Sequence, residues 1–184
     1  MAETKITVNK MKEVFLDKVT VNVCVGNDKQ GMVKAEKLLR KLTDKEPVRN
    51  VAKRRMATWQ IRPGLPIGYK VTLRNEDAKK FLTWILQSKG NKIKAQSLDT
   101  YGNFSVGFTE YLELNGIKYD AEIGIMGFEV MITFARPGFR VKSRGLKVAR
   151  VPKRHKVTQN EAIAFLKENF KVEVERWVQK IMQK

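Results

Sequence analysis

The chain has 184 residues, 42% of them apolar, and carries 37 Lys and Arg against 19 Asp and Glu, a net charge of +18. That length and apolar share support one domain with a real core and exclude wholesale disorder. The lone cysteine, Cys24, excludes an internal disulfide and a multi-cysteine metal knuckle, while short apolar runs and a polar start exclude a membrane span and a secretory leader, so a cytosolic protein is expected.

The charge is segregated. Residues 47–75 hold seven cations and no acid, and residues 130–160 hold nine, again with none. The remaining 21 basic and 19 acidic residues almost cancel, which leaves a balanced body bearing two acid-free surfaces. A phosphate-backbone partner is the expected cause. No basic amphipathic anchor helix or lipidation signal points to a membrane instead.

Residues 1–15 are polar and mixed, and read as a loosely held tail. Residues 18–25 alternate cleanly, with Val19, Val21, Val23 and Val25 on one face and Lys18, Thr20, Asn22 and Cys24 on the other, the pattern of a strand over a valine core. The glycine-rich turn 26–31 lacks the Lys-Ser/Thr pair of a phosphate loop, so it predicts only a strand end. After it, Met32, Ala35, Leu38, Leu39 and Leu42 mark a helix with Asp28 as cap and a basic stripe of Lys34, Lys37 and Lys41.

Pro47 closes that helix, and residues 48–58 are too basic and aperiodic to bury, which predicts an exposed, mobile loop. Residues 59–74 read as a hairpin around the turn region Pro63-Gly64-Leu65-Pro66-Ile67-Gly68, with Trp59, Ile61, Ile67, Tyr69, Val71 and Leu73 inward. Gln60, Arg62, Gly68, Lys70, Thr72 and Arg74 then face outward, and the strand at 18–25 is placed beside them to extend one polar surface. Asn75 is a candidate cap for a helix whose stripe is Ala78, Phe81, Leu82, Ile85 and Leu86, with Gly90 as its stop.

Three period-two runs follow: Phe104 to Leu114, Ile117 to Ile123, and Phe128 to Phe134, the first two joined by Asn115-Gly116. Residues 136–156 form a second basic loop, irregular because of its glycines and prolines. Thr158 to Glu161 is a capping box for a helix with Ala162, Phe165 and Leu166 inward, and Val174, Trp177, Val178 and Ile181 continue at helical spacing.

Two chemistries compete with simple binding. Asp120 and Glu122 at i, i+2, with Glu110 and Glu113 upstream, suggest magnesium-dependent RNA cleavage, but they lie outside both basic stretches. The single histidine, His155, sits among cations with no acid beside it, so a triad has nothing to build on and phosphate contact is its expected use. No catalytic residue, metal ligand or cofactor is assigned.

The segments VTVNVCVG, IRPGLPIGYKVTLR, GFTEYLELNGIKYD and ITFARPGF together resemble successive motifs of large-subunit ribosomal protein number five, the universal family that binds 5S ribosomal RNA. The likeness runs from about Lys18 to Phe170, and ARPGF with HKVTQNEAIAFLKE resembles the archaeal and eukaryotic branch, so an archaeal source is expected. It implies an α+β fold, mainly an antiparallel sheet with helices packed on one face and the polar, basic face open to RNA, in one unit spanning residues 1–184. It also implies a place in the central protuberance beside 5S RNA, large-subunit RNA and neighbouring ribosomal proteins, with the loop before the hairpin reaching the peptidyl-site tRNA. The candidate ribosomal RNA contacts are Thr20, Asn22, Gln60, Arg62, Gly64, Lys70, Thr72, Arg74, Arg136 and Arg140, and the candidate tRNA contacts are Lys53, Arg54 and Arg55. Residues 1–15 and 171–184 depart from the family pattern and receive no role.

Overall fold

The valines of the first strand dictate the architecture. In the computed structural model, which describes residues 9–175, β1 (Phe15–Cys24) buries Val19, Val21 and Val23 and turns Thr20 and Asn22 the other way. It is the middle strand of a five-stranded sheet that also contains β2 (Val48–Val51), β3 (Pro66–Leu73), β5 (Phe104–Phe108) and β6 (Phe128–Ala135), in the order β2-β3-β1-β6-β5 with every pairing antiparallel. The same alternation buries Tyr69, Val71 and Leu73 on β3 and Val130, Ile132 and Phe134 on β6. One face is therefore apolar throughout.

Helices cover that face. α1 (Lys29–Thr43) begins where the Asp28 carboxylate accepts from the Gln30 N–H at 3.0 Å, and buries Gly31, Ala35, Leu38, Leu39 and Leu42. α2 (Asn75–Ser88) buries Ala78, Phe81, Leu82, Ile85 and Leu86. α4 (Gln159–Phe170) opens on the Thr158–Glu161 capping box, buries Ala162 and Leu166, and sets Phe165 edge-on to Phe134 with ring centres 5.4 Å apart. The α+β fold read from the family likeness is the fold observed.

Several local expectations are corrected. Order begins before residue 15: Lys10–Lys12 form a turn of 3-10 helix, Val14 packs on the core and Phe15 opens β1. The hairpin arms are β2 and β3, so residues 48–51 are strand, whereas Trp59 is 65% exposed and Ile61 only bridges Met56. Asn75 does not cap α2; Arg74 occupies that position and Asn75 sits at φ +54°.

The alternation from Leu112 to Ile123 is not strand either. Tyr111–Glu113 form a 3-10 turn, Gly116 turns at φ +86°, and the segment is held by the buried Tyr111, whose hydroxyl accepts from the Asp120 N–H at 2.9 Å. Leu114 and Ile123 plug the core from irregular backbone, which produces period two without sheet pairing. Val174 lies in β7 (Glu173–Glu175), parallel to β4 (Lys92–Lys94), rather than in a helix, and Trp177, Val178 and Ile181 lie outside the described residues. No helix among the described residues is long and apolar enough to cross a membrane.

Gly68 lets β3 lie against β1. A Cβ there meets the Val23 carbonyl oxygen at 2.3 Å, so any side chain forces backbone apart. Gly68→Ala is expected to lower unfolding free energy by about 1–3 kcal/mol, read from urea denaturation midpoints at unchanged slope.

A second test uses pH. Lys89, aided by Thr109, holds the Glu113 carboxyl down to about 2 from its ordinary 4.5. A lowered folded value means that stability is fully present above 4.5 and is lost as pH falls towards 2. The stability gap between the wild type and Glu113→Gln should therefore close across that window.

Candidate RNA interface

The β1–β3 register fixes what the uncovered face presents. Thr20 stands opposite Thr72, Asn22 opposite Lys70 and Cys24 opposite Gly68, so two threonines, an asparagine and a lysine form one patch on two rigid strands. β6 continues it with Thr133, Met131 and Glu129, paired to Lys18, Thr20 and Asn22. The Asn50 amide reaches over from β2 to donate to the Asn22 Oδ1 at 2.8 Å, which fixes the orientation of that amide. Short hydroxyls and amides on rigid backbone suit contact with phosphate and ribose.

The loop between β2 and β3 is more ordered than its composition predicts. Buried Ala52 exchanges bonds with it, donating to Leu65 at 2.8 Å and accepting from Gly64 at 2.9 Å, and Met56 and Ile61 exchange a second pair at 2.9 and 3.0 Å. Arg62 to Leu65 is a tight turn closed at 3.1 Å, where Pro63 precedes a Gly64 at φ +83°, the left-handed angle a type II turn needs. Lys53, Arg54 and Arg55 are all exposed between these two rungs. Gln60, at φ +55°, and Arg62 are exposed too, but on this loop and not on the sheet face assigned to them. Trp59, placed in the core by periodicity, stands at the loop tip beside these cations. Alternation alone misassigns it to the core.

Three residues expected on RNA have structural work of their own. Arg136 is 7% exposed, with one guanidinium nitrogen 2.5 Å from the Glu161 carboxylate and its buried Nε without a partner among the described residues. It bolts the basic loop to the start of α4 and is withdrawn as an RNA contact. Burial alone raises the Glu161 pKa, but the Thr158 bonds and Arg136 outweigh it and leave the group below its ordinary value. Arg74 pairs with Asp17 at 3.1 Å while keeping much of its side chain exposed. His155, expected on phosphate, has Nε2 2.7 Å from the Pro137 carbonyl oxygen and packs near the Phe139 ring. Arg140 is exposed at the start of the short helix α3 (Arg140–Ser143).

Residues 9–62 match the family model for ribosomal protein L5, and residues 66–173 match the model for the C-terminus of the same ribosomal family. The large ribosomal subunit protein uL5 of Sulfurisphaera tokodaii is 49% identical over 95% of this chain and 98% of its own length. The uL5 proteins of Sulfolobus acidocaldarius and Methanosphaera stadtmanae are 44% and 41% identical over 90% and 91% of the chain, which covers 93% and 99% of theirs. This chain belongs to the ribosomal L5 family. Its relatives place it in the archaeal branch. The two matched segments meet in the Pro63-Gly64-Leu65 turn, and the sheet draws β1 and β2 from the first and β3, β5 and β6 from the second.

Members of the L5 family are structural ribosomal proteins and not enzymes. The acids that suggested a nuclease have other work: Asp120 pairs with Lys41 at 3.1 Å and Glu122 with Lys37 at 2.5 Å, both bonds tying the irregular 114–126 segment to α1. Lys41 and then the Glu122 backbone N–H hold Asp120 below its ordinary pKa, and the bond to Glu122 raises Lys37. The same pairs occupy two of the three lysines in the basic stripe of α1.

The reassignment of Arg136 is measurable. Arg136 is buried but Glu161 keeps 41% of its side chain exposed, so water screens the carboxylate left behind and Arg136→Ala should cost about 1–2 kcal/mol in denaturant unfolding. An RNA-contact role alone predicts unchanged stability.

Proposed function

We propose that this chain is a structural component of the large ribosomal subunit that holds 5S ribosomal RNA on the open sheet face. It thereby attaches that RNA to large-subunit RNA and neighbouring proteins in the central protuberance of the cytoplasmic ribosome. The observation that carries the reading is the Thr20–Thr72 and Asn22–Lys70 patch, one face of the sheet left uncovered while helices bury the other. The charge excess supports it, because among the described residues none of Lys53, Arg54, Arg55, Arg62, Lys70 or Arg140 is in an ion pair, and acids are absent from residues 47–75 and 130–160. The curated relatives carry the name of large ribosomal subunit proteins.

The same reading gives the β2–β3 loop a second polyanion. Its backbone rungs hold Lys53, Arg54 and Arg55 clear of the sheet face, so RNA on the face leaves them free, and the family likeness supplies the peptidyl-site tRNA as their partner. Trp59 at the tip adds an aromatic surface.

Competition of 5S RNA against tRNA of similar length is the first test, with stoichiometric, salt-sensitive 5S binding expected. Lys70→Ala should weaken it and reduce the slope of log affinity against log salt by about one. Thr72→Val should cost about 1 kcal/mol of affinity with the slope unchanged. Binding indifferent to RNA identity would mean a general RNA chaperone.

A separate prediction concerns the loop. Replacing Lys53, Arg54 and Arg55 together by alanine should leave isolated 5S binding and melting temperature nearly unchanged while lowering peptidyl-site tRNA affinity on assembled ribosomes. Loss of 5S binding with normal tRNA affinity would assign the loop to the wrong RNA.

A further inference from the structure

At one end of the open face a cleft of about 770 Å³ lies between the start of β1, the end of β6 and the 136–143 segment. Its origin is a register shift in β1. Between Leu16 and Lys18 the pairing to β6 slips, with Leu16 opposite Phe134 but Lys18 opposite Thr133. Strict alternation from Lys18 sends Leu16 outward; the extra residue, Asp17, reverses the phase, so Leu16 enters the core and Phe15 emerges on the open face.

Among the phenylalanines of the described residues, Phe15 alone is exposed. Phe104, Phe108, Phe128 and Phe134 are all buried, whereas Phe15 is 42% exposed and Tyr101, across the cleft, 44%. Lys156 places its ammonium 4.1 Å from the Tyr101 ring centre, and Arg140 and Lys142 stand on the rim. Asp17, the only acid lining the cleft among the described residues, is neutralised by Arg74. Two solvent-facing aromatic rings among fixed cations make a stacking platform with phosphate contacts at its edge. Lys18 and Thr133 line the cleft and also belong to the outward row that carries Thr20 and Asn22, so a strand lying on the face runs directly into it.

We infer that this cleft holds one unstacked nucleotide of a bound RNA, its base against Phe15 and Tyr101 and its phosphates on Arg140 and Lys142. This rests on the RNA-binding reading above but involves a different site and ligand form. The volume suits a nucleotide, since ligand sites run from about 300 to 1,000 Å³. An acidic peptide would satisfy the cations and leave the two rings without a planar partner.

The test uses the full chain and two single-stranded hexaribonucleotides, one with 2-aminopurine at the third position and one abasic there. The base-containing probe should bind about 5- to 150-fold tighter, the range one stacked base supplies. Its fluorescence should be quenched on binding. Phe15→Leu and Tyr101→Leu should each bring its affinity towards that of the abasic probe, with salt slope unchanged and melting temperature within a few degrees, because leucine keeps much of the packing of these half-exposed rings. Lys142→Ala should instead weaken both probes alike and lower the slope by about one. Lys70→Ala, on the sheet patch, should leave the affinity ratio of the two probes unchanged, so failure of the 5S assignment and failure of this one are separable. Equal affinity for the two probes, indifference to both aromatic replacements, or equal displacement by poly-glutamate of matching charge would overturn the inference.

Discussion

Everything on the functional side depends on β1 pairing along both edges. Its valines have β3 on one side and β6 on the other, so the strand is fixed in register twice, and each outward residue has a defined neighbour left and right. A one-residue slip would bring Thr20 and Asn22 into the apolar layer and expose Val19 and Val21, at a cost of about 1.5–3 kcal/mol for each valine removed from burial. The core's demand for valine thus holds the polar patch in place. The missing side chain at Gly68 serves the same end, because it allows β3 close enough for Asn50 to reach Asn22.

Where one face is buried and the other wet, sequence alternation reports structure directly, and β1, β3 and β6 were legible for that reason. The α1 and α2 stripes were legible because helices on a sheet bury one side only. Residues 112–123 misled because Tyr111, Leu114 and Ile123 are buried from turns, with bonds to Asp120 and to the α1 lysines replacing a ladder. Residues 48–51 misled in the opposite sense. That edge strand exposes Val48, Arg49 and Val51, so no buried face imposes a period on it.

The candidate site was legible as a charge distribution and less so as a set of contacts. Counting cations locates the two acid-free stretches, but it cannot separate Arg136, spent on Glu161, from Arg140, which is free on the surface four residues later. Only the partner across the fold decides, and Glu161 lies on a different element. The aromatic cleft had no sequence signal at all, since it arises from one residue of register slip that turns Phe15 into the cleft that Tyr101, Arg140 and Lys142 also line.

The strand order also carries a consequence for how the chain is made. β1 emerges first from synthesis, yet Phe15 pairs with Ala135, so one edge of the central strand has no partner until most of the chain exists. The β1–β3 half can close early, once Leu73 is available, and until β6 arrives it exposes a ladder edge rich in valine. Such distant pairing slows folding and invites edge-to-edge association in the interval. A polyanion that engages Thr20, Asn22, Lys70 and Thr72 finds that patch complete in the early half. RNA present during synthesis would thus act as a template, stabilising the β1–β3 register before the core that later enforces it has been assembled.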